Sequence, residues 1–285
     1  MALALLSGPL WAQVPAAPRE LHPERWADDN LAIGYIGHAS VLVKLTGTFI
    51  LTDPAFFERI GVTVGPVTIG PQRLVRPALP LERVPLPAAI VISHAHFDSL
   101  DLPSLAALPK DTVLVAPRGC ADLLADLGFR KYVELAWGER VDIDSLSIQA
   151  VPVRHWGGRY PLDRARGYNA YVLSKDGVRV LFAPDTAYTE DFRALAASDA
   201  APHVAIIGTG AYDPWVRNHA TPEQVWRMFL DSGARYLAPV HWDTFRLGKE
   251  PVGDALRRLT VTAGDQHDRI VLREIGGEWF WRHPR

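Results

Sequence analysis

Short apolar runs broken by polar turns dominate this chain. Residues 31–37, 40–45 and 48–52 read as three strands joined by tight turns. Residues 88–92 are apolar throughout and read as a buried strand. Residues 113–117, 132–135 and 146–153 give further strands. Residues 169–174 and 178–183 form a hairpin about Lys175-Asp176-Gly177, where an Asp-Gly pair favours a tight turn. Residues 204–208 and 236–240 are buried and extended, and closing strands are expected between 270 and 281. Helical signals are sparser. One helix is expected over 118–127 and another around 256–259. A third opens at Thr221-Pro222-Glu223-Gln224, with Thr as N-cap and Pro in the first turn. Residues 55–87 hold many Pro and Gly with little periodicity, and are expected as a long loop of the kind that often serves function. No linker or charge run divides the strand-rich halves. Residues 1–30 are therefore taken as a lead-in and 31–285 as one domain.

Where the strands end, metal-capable side chains recur. The run after residue 92 is Ser93-His94-Ala95-His96-Phe97-Asp98-Ser99, with donors at every second position. Side chains at that spacing in extended backbone project to one side. Imidazole with carboxylate suits zinc, and also manganese or iron. The plainer alternative is a pair of surface histidines in a polar loop. Other strands end at His155, Asp185 and His241. Six of the ten histidines (His38, His94, His96, His155, His219, His241) lie at such junctions or in polar loops.

Composition narrows the classes without choosing among them. The 285 residues are 48% hydrophobic and 22% charged with a net charge of −2, so a general polyanion-binding surface, and with it nucleic acid, is disfavoured. The single cysteine, Cys120, permits no internal disulfide and is expected to pack in a helix rather than act as a nucleophile. The apolar start Met1 to Leu6, the break at Ser7-Gly8-Pro9 and Trp11-Ala12-Gln13 resemble the end of a secretory signal; a docked N-terminus is the alternative. Cytoplasmic and exported locations both stay open. No apolar run is long enough to span a membrane.

The motifs together resemble the metallo-β-lactamase fold superfamily. The closer likeness is to the branch holding the N-acyl-phosphatidylethanolamine phospholipases D and the ascorbate-6-phosphate lactonases. The matching segments begin with Gly37-His38-Ala39-Ser40, Leu51-Thr52-Asp53-Pro54 and Ser93-His94-Ala95-His96-Phe97-Asp98. Arg154-His155-Trp156, Ala183-Pro184-Asp185-Thr186, Gly210-Ala211-Tyr212, Thr221-Pro222-Glu223-Gln224 and His241-Trp242-Asp243-Thr244-Phe245 follow in the same order. The resemblance implies an α/β fold, a four-layer αβ/βα sandwich with metals at one sheet edge. It implies that His94, His96 and His155 hold a first ion, that Asp98 and His241 hold a second, and that Asp185 bridges them. A water activated on the metal would then attack a phosphodiester or a lactone or other ester, with Asp98 and Asp185 at the reacting centre.

Two positions depart from that pattern. Ser99 stands where the family has a histidine for the second ion, and a neutral hydroxyl is a poor ligand beside imidazole. The second site is therefore expected to be weakened or empty. The corresponding alternative is a degenerate metal-binding or ligand-binding relative with low turnover. Asp243 replaces a usual glycine and either backs His241 or faces solvent, the latter being preferred. His38 is expected to hold the loop beneath the site, and His219 either to line a substrate pocket or to lie exposed. Arg154 and Arg159 could pair with a phosphate or with surface carboxylates. Trp156 and Tyr212 could wall the cleft or be core. Phe56-Phe57 and residues 60–67 could give a lipid-like substrate an apolar approach, although folding back on the core is preferred.

Overall fold

The computed structural model describes residues 14–27, 31–163, 165–197 and 201–282. The suggested signal remnant at 1–13 lies outside them. In chain order the strands are β1 (Leu31–Gly37), β2 (Ser40–Leu45), β3 (Thr48–Thr52), β4 (Val62–Val64), β5 (Val67–Ile69), β6 (Ala89–Val91), β7 (Val113–Pro117) and β8 (Lys131–Leu135). They continue with β9 (Arg140–Ile143), β10 (Leu146–Val151), β11 (Ala170–Lys175), β12 (Val178–Ala183), β13 (Val204–Gly208), β14 (Tyr236–Val240) and β15 (Glu278–Trp281). Among the described residues five α-helices intervene: α1 (Leu102–Ala107), α2 (Ala121–Leu124), α3 (Arg193–Ala196), α4 (Pro222–Asp231) and α5 (Asp254–Ala263).

One sheet has the order β15-β1-β2-β3-β6-β7-β8 and the other β14-β13-β12-β11-β10-β9. Side-chain alternation explains how they stack. In the second sheet Ile148, Tyr171, Leu173, Val180, Phe182, Ile206 and Val240 join Val41, Val43, Ile50, Ile90 and Leu114 of the first sheet in one buried cluster. The residues between them, Val172, Leu181, Ala205, Ile207 and Leu237, face the other way. They pack on Val225, Met228 and Phe229 of α4 and Leu259 of α5. The helices are α4, with its Thr221–Gln224 capping box, and α5 on that outer face, with α1 and α2 sending Leu105 and Leu124 into the first cluster.

Strand direction places the site. β3, β6 and β7 run parallel, and β1 reaches the same direction through two antiparallel pairings with β2 and β3. β12, β13 and β14 are parallel, and β10 matches them through β11. The C-terminal ends of β1, β3 and β6 therefore share one edge, as do those of β10, β12 and β14. Open α/β sheets bind ligands at such carboxyl ends. Close approach there depends on glycine: a Cβ at Gly208 would lie 1.6 Å from the Pro184 carbonyl oxygen, and one at Gly210 would lie 2.0 Å from that of His241.

The pattern-based expectations differ from the structure in several places. Residues 55–87 are not structureless, because Val62-Thr63-Val64 and Val67-Thr68-Ile69 pair across Gly65-Pro66 as a hairpin. Its valines stay exposed, so the apolar alternation marked a strand without marking core. The helix expected over 118–127 is α2 followed by one 3-10 turn that stops at Gly128, φ +76°. β9, α1 and α3 are additional to the expected elements. The signal for α1 was legible: Asp101 caps it by accepting the Ser104 N–H at 3.1 Å, with Pro in the first turn. Of the closing strands, only Glu278–Trp281 forms.

Candidate metal centre

The buried ends of β1, β6, β10, β12 and β14 bring seven titratable side chains together, and the connection between β13 and α4 adds His219 as an eighth. His94, His96, His155 and Asp185 each offer a donor atom within 4.8 Å of every other, and so do His38, Asp98 and His241, and Asp185, His219 and His241. His94 Nε2 lies 2.7 Å from His96 Nδ1, and His155 Nε2 lies 3.2 and 3.3 Å from those two atoms. Asp185 Oδ2 is 3.5 Å from His94 Nε2 and 3.6 Å from His155 Nε2. Its other oxygen, Oδ1, is 3.2 Å from His241 Nε2, which is itself 3.3 Å from Asp98 Oδ2. Asp185 thus faces both halves of the cluster.

These donors fit metal ions. A tetrahedral zinc with bonds of ~2.0–2.1 Å has ligand-to-ligand edges of roughly 3.3–3.4 Å, close to most of the separations here. Both oxygens of Asp185 are buried without a hydrogen-bond partner among the described residues. That would be an unusual state for a carboxylate unless another positive partner fills the gap.

Protonation points the same way. Burial holds His94 and His96 below the usual histidine range, and His155 is lowered to about 4, so these imidazoles are neutral with free lone pairs. Burial also lowers His219 to about 3. Burial would raise Asp98, but hydrogen bonds and charge from His241 and His38 outweigh it and keep the carboxyl well below its usual range. Asp185 is likewise raised by burial and then depressed further by His241 and His94. Burial lowers His241, yet Asp185 and Asp98 override this and hold it well above its usual range in the metal-free molecule.

Outer contacts aim the rings. His155 Nδ1 donates to the Asn218 carbonyl at 3.0 Å, which leaves Nε2 pointing at the cluster. His94 Nδ1 meets Ser93 Oγ at 2.8 Å, and Ser93 Oγ and N–H bind the two oxygens of Asp53 at 2.5 and 2.7 Å. Asp53 and Asn218 are the positioning groups that sequence reasoning missed. Asp53 was visible as the end of β3 and within the Leu51-Thr52-Asp53-Pro54 motif but carried no assigned role, and a backbone carbonyl leaves no residue signature. Several of the residues that shape this edge have positive φ: His38 (+58°), Asp53 (+32°), Ala211 (+60°), His241 (+64°) and Asp243 (+49°). Such strained backbone gathers where the surrounding structure fixes a functional geometry.

Two hollows flank the cluster. One of about 210 Å³ is lined by Ile60, Gly61, Pro71, His96, Phe97, Asp98, Trp156 and Leu247. The other, about 200 Å³, is lined by His96, Asp98, Trp156, Asp185, Ala211, Trp215, His219 and Leu247. His219 therefore does reach a pocket, as does Trp156, whose ring sits 4.3 Å from that of His96.

Other candidates go elsewhere. Arg159 does not reach for a phosphate: it is buried, donates to the carbonyls of Ala95 and Leu100 at 2.8 Å each, and lies over the Phe97 ring. It clamps the loop that carries His94, His96 and Asp98. Arg154 is exposed and lines neither hollow. Tyr212 is core, with its hydroxyl donating to Asp254 at 2.6 Å. Asp243 neither backs His241 nor stands free in solvent, since it accepts the Gly253 N–H at 2.7 Å ahead of α5, while His241 Nδ1 has no hydrogen-bond partner among the described residues. Ser99 is buried; its N–H donates to the His96 carbonyl at 3.2 Å, while its hydroxyl has no hydrogen-bond partner among the described residues. Phe56 and Ile60 are core, whereas Phe57 and the hairpin valines are exposed, so the 56–67 stretch is split between the two readings. Cys120 is buried and its thiol is pushed up to about 12 by burial, consistent with packing.

A two-sheet α/β sandwich with histidines and aspartates converging at the carboxyl edge defines a metallo-β-lactamase-type hydrolase. Residues 48–242 match the model of the β-lactamase superfamily domain, and the chain belongs to that superfamily. An uncharacterised protein of Mycobacterium tuberculosis is 33% identical over 272 residues, covering 92% of this chain and 72% of that protein. The mitochondrial N-acyl-phosphatidylethanolamine-hydrolysing phospholipase D of Saccharomyces cerevisiae is 31% identical over 257 residues, 85% of this chain and 54% of the yeast protein. Among solved structures, the isothiocyanate hydrolase from Delia radicum gut bacteria superposes with a TM-score of 0.69 at 17% identity, over 87% of this chain and 98% of that one; this likeness shows the fold. No helix among the described residues is long and apolar enough to cross a membrane.

Proposed function

We propose that the chain is a phosphodiesterase whose substrate carries an apolar arm. The observation behind this reading is that the donor cluster opens directly into the hollow lined by Ile60, Phe97, Trp156 and Leu247. The similarity to a phospholipase D supports a phosphodiester over a lactone or simple ester, and supports a lipid-like arm. In this reading His94, His96, His155 and Asp185 hold one ion, with zinc best matched to the donors and manganese or iron as alternatives. Asp98 and His241 share a second with Asp185. When bound, such ions lower the pKa of a water to roughly 7 and draw charge from the oxygens of the breaking bond.

The chain's own groups do the rest. Asp185, with one oxygen toward each half, keeps the two centres in register. Asp98, held ionised by His38 and His241, accepts a hydrogen bond from the attacking water and turns its lone pair toward the reacting atom. Trp156 and Leu247 exclude water and seat the apolar arm. His219, neutral and facing Asp185 in the second hollow, offers an N–H to a substrate oxygen. Neither hollow is lined by Lys or Arg among the described residues, so neutralisation of the phosphodiester falls to the ions.

Ser99 favours a second reading, a low-turnover metal-binding relative. Purified protein loaded in turn with zinc, manganese and iron decides between them when assayed on bis(p-nitrophenyl) phosphate, on N-acyl-phosphatidylethanolamine vesicles and on lactones. Metal-dependent turnover of the phosphodiesters supports the proposal. Turnover of lactones alone, or of nothing at any metal loading, rejects it.

A further inference from the structure

Without a histidine at position 99, the ligands that the family resemblance assigns to the second ion are reduced to Asp98, His241 and Asp185. We propose that His38 supplies the missing imidazole and is itself a ligand of the second ion; this rests on the reading above that the cluster holds two ions. His38 is fully buried, and its Nε2 lies 2.8 Å from Asp98 Oδ2, the same oxygen that His241 Nε2 approaches at 3.3 Å. Donor atoms of His38, Asp98 and His241 all lie within 4.8 Å of one another. The His38 and His241 rings are 4.0 Å apart at their centroids.

The backbone fixes this placement. The His38 N–H donates to Thr244 Oγ1 at 2.7 Å, and its carbonyl accepts the His241 N–H at 2.8 Å. His38 sits at φ +58°, a conformation that costs a non-glycine residue stability and persists only where contacts over-determine it. Those two bonds tie the loop after β1 to the loop after β14, so the imidazole and its neighbour His241 present to one point. Ser99, by contrast, is buried and offers only a hydroxyl, a poor ligand beside imidazole. With a second ion bound, His38 and Asp98 would exchange their mutual hydrogen bond for ligation of one cation, the single ring proton of the neutral imidazole moving from Nε2 to Nδ1.

The rival role is a hydrogen bond that merely aims Asp98. Ions per chain, measured by elemental analysis after dialysis in zinc, and zinc titration calorimetry separate the two. The wild type is expected to hold two ions. His38→Ala is expected to hold one, with second-ion affinity down by more than ~100-fold, beyond the roughly 10–100-fold loss that an orienting residue gives. His38→Gln can still donate to Asp98 but carries no imidazole, and is expected to lose the second ion equally. Adding Ser99→His to either variant is expected to restore it. The retained first ion reports that the variants fold; should His38→Ala fail to fold, the Gln variant carries the test. Two tightly held ions in His38→Gln, or no restoration by Ser99→His, overturns the proposal. A wild type with one ion overturns it while leaving the hydrolase reading intact; a wild type with none removes both.

Discussion

Replacing Asp53 with asparagine isolates the relay behind His94. Asp53 Oδ1 accepts the Ser93 N–H at 2.7 Å, Asp53 Oδ2 is 2.5 Å from Ser93 Oγ, and Ser93 Oγ is 2.8 Å from His94 Nδ1. For Nε2 to bind a metal, Nδ1 must carry the ring proton and donate to Ser93 Oγ, which in turn donates to the carboxylate. An asparagine must keep its oxygen on the Ser93 N–H, so its amide nitrogen faces Ser93 Oγ and donates there. The hydroxyl is then driven to donate to His94 Nδ1, and the ring proton moves to Nε2, the atom that faces the cluster. Outer partners of this kind are worth roughly 10–100-fold in metal affinity, or about 1.4–2.7 kcal/mol. Burial pushes the Asp53 carboxyl upward, which disfavours its charge, so the neutral, isosteric asparagine is expected to fold with little loss of stability. Competition with a chromophoric chelator gives the first-ion affinity, and thermal unfolding of the metal-free protein gives the control. First-ion affinity within about twofold of the wild type would refute the relay.

Three further outcomes follow from the geometry. Arg159→Ala strips two buried carbonyls of their donor and is expected to lower stability by about 2–4 kcal/mol in urea, while exposed Arg154→Ala shifts it by less than about 0.5 kcal/mol; equal effects would return Arg159 to a surface role. His155, lowered from 6.5 to about 4, binds its proton first in the unfolded chain, so its contribution is intact above pH 6.5 and lost as pH falls toward 4. Metal-free protein should therefore lose up to about 3 kcal/mol from this group between pH 7 and 4, read from urea midpoints; an unchanged or rising midpoint contradicts the neutral buried imidazole. Trp156→Ala should raise KM for long-chain phosphodiesters by ~10-fold or more and spare bis(p-nitrophenyl) phosphate; an equal change for both would remove Trp156 from the apolar hollow.

Much of the architecture was legible because burial and backbone period coincide in this chain. β1, β2 and β3 match the runs read from apolar pattern, and the Asp176-Gly177 turn sits at φ +49° and +79° between β11 and β12. The metal-capable residues were legible because each follows a buried strand that stops, and parallel strands stop at one edge. Elements with mixed or inverted burial escaped. The β4–β5 hairpin exposes Val64 and Ile69 at 64% and 67%, so its apolar residues carried no core signal. β9 alternates exposed and half-buried positions, and α3 is a single turn. Orientation was also out of reach. Arg159 and Asp243 sat beside site residues in sequence, and only the fold turned one inward to backbone carbonyls and the other to Gly253. The pairing of His38 with Asp98 spans 60 residues and no local pattern encodes it.

Crystals of the zinc-loaded protein, measured at the zinc absorption edge, test the central claim most directly. The account predicts an anomalous peak bounded by His94 Nε2, His96 Nδ1, His155 Nε2 and Asp185 Oδ2. Saturating zinc with no peak at that point, or with peaks only at surface sites, would contradict it.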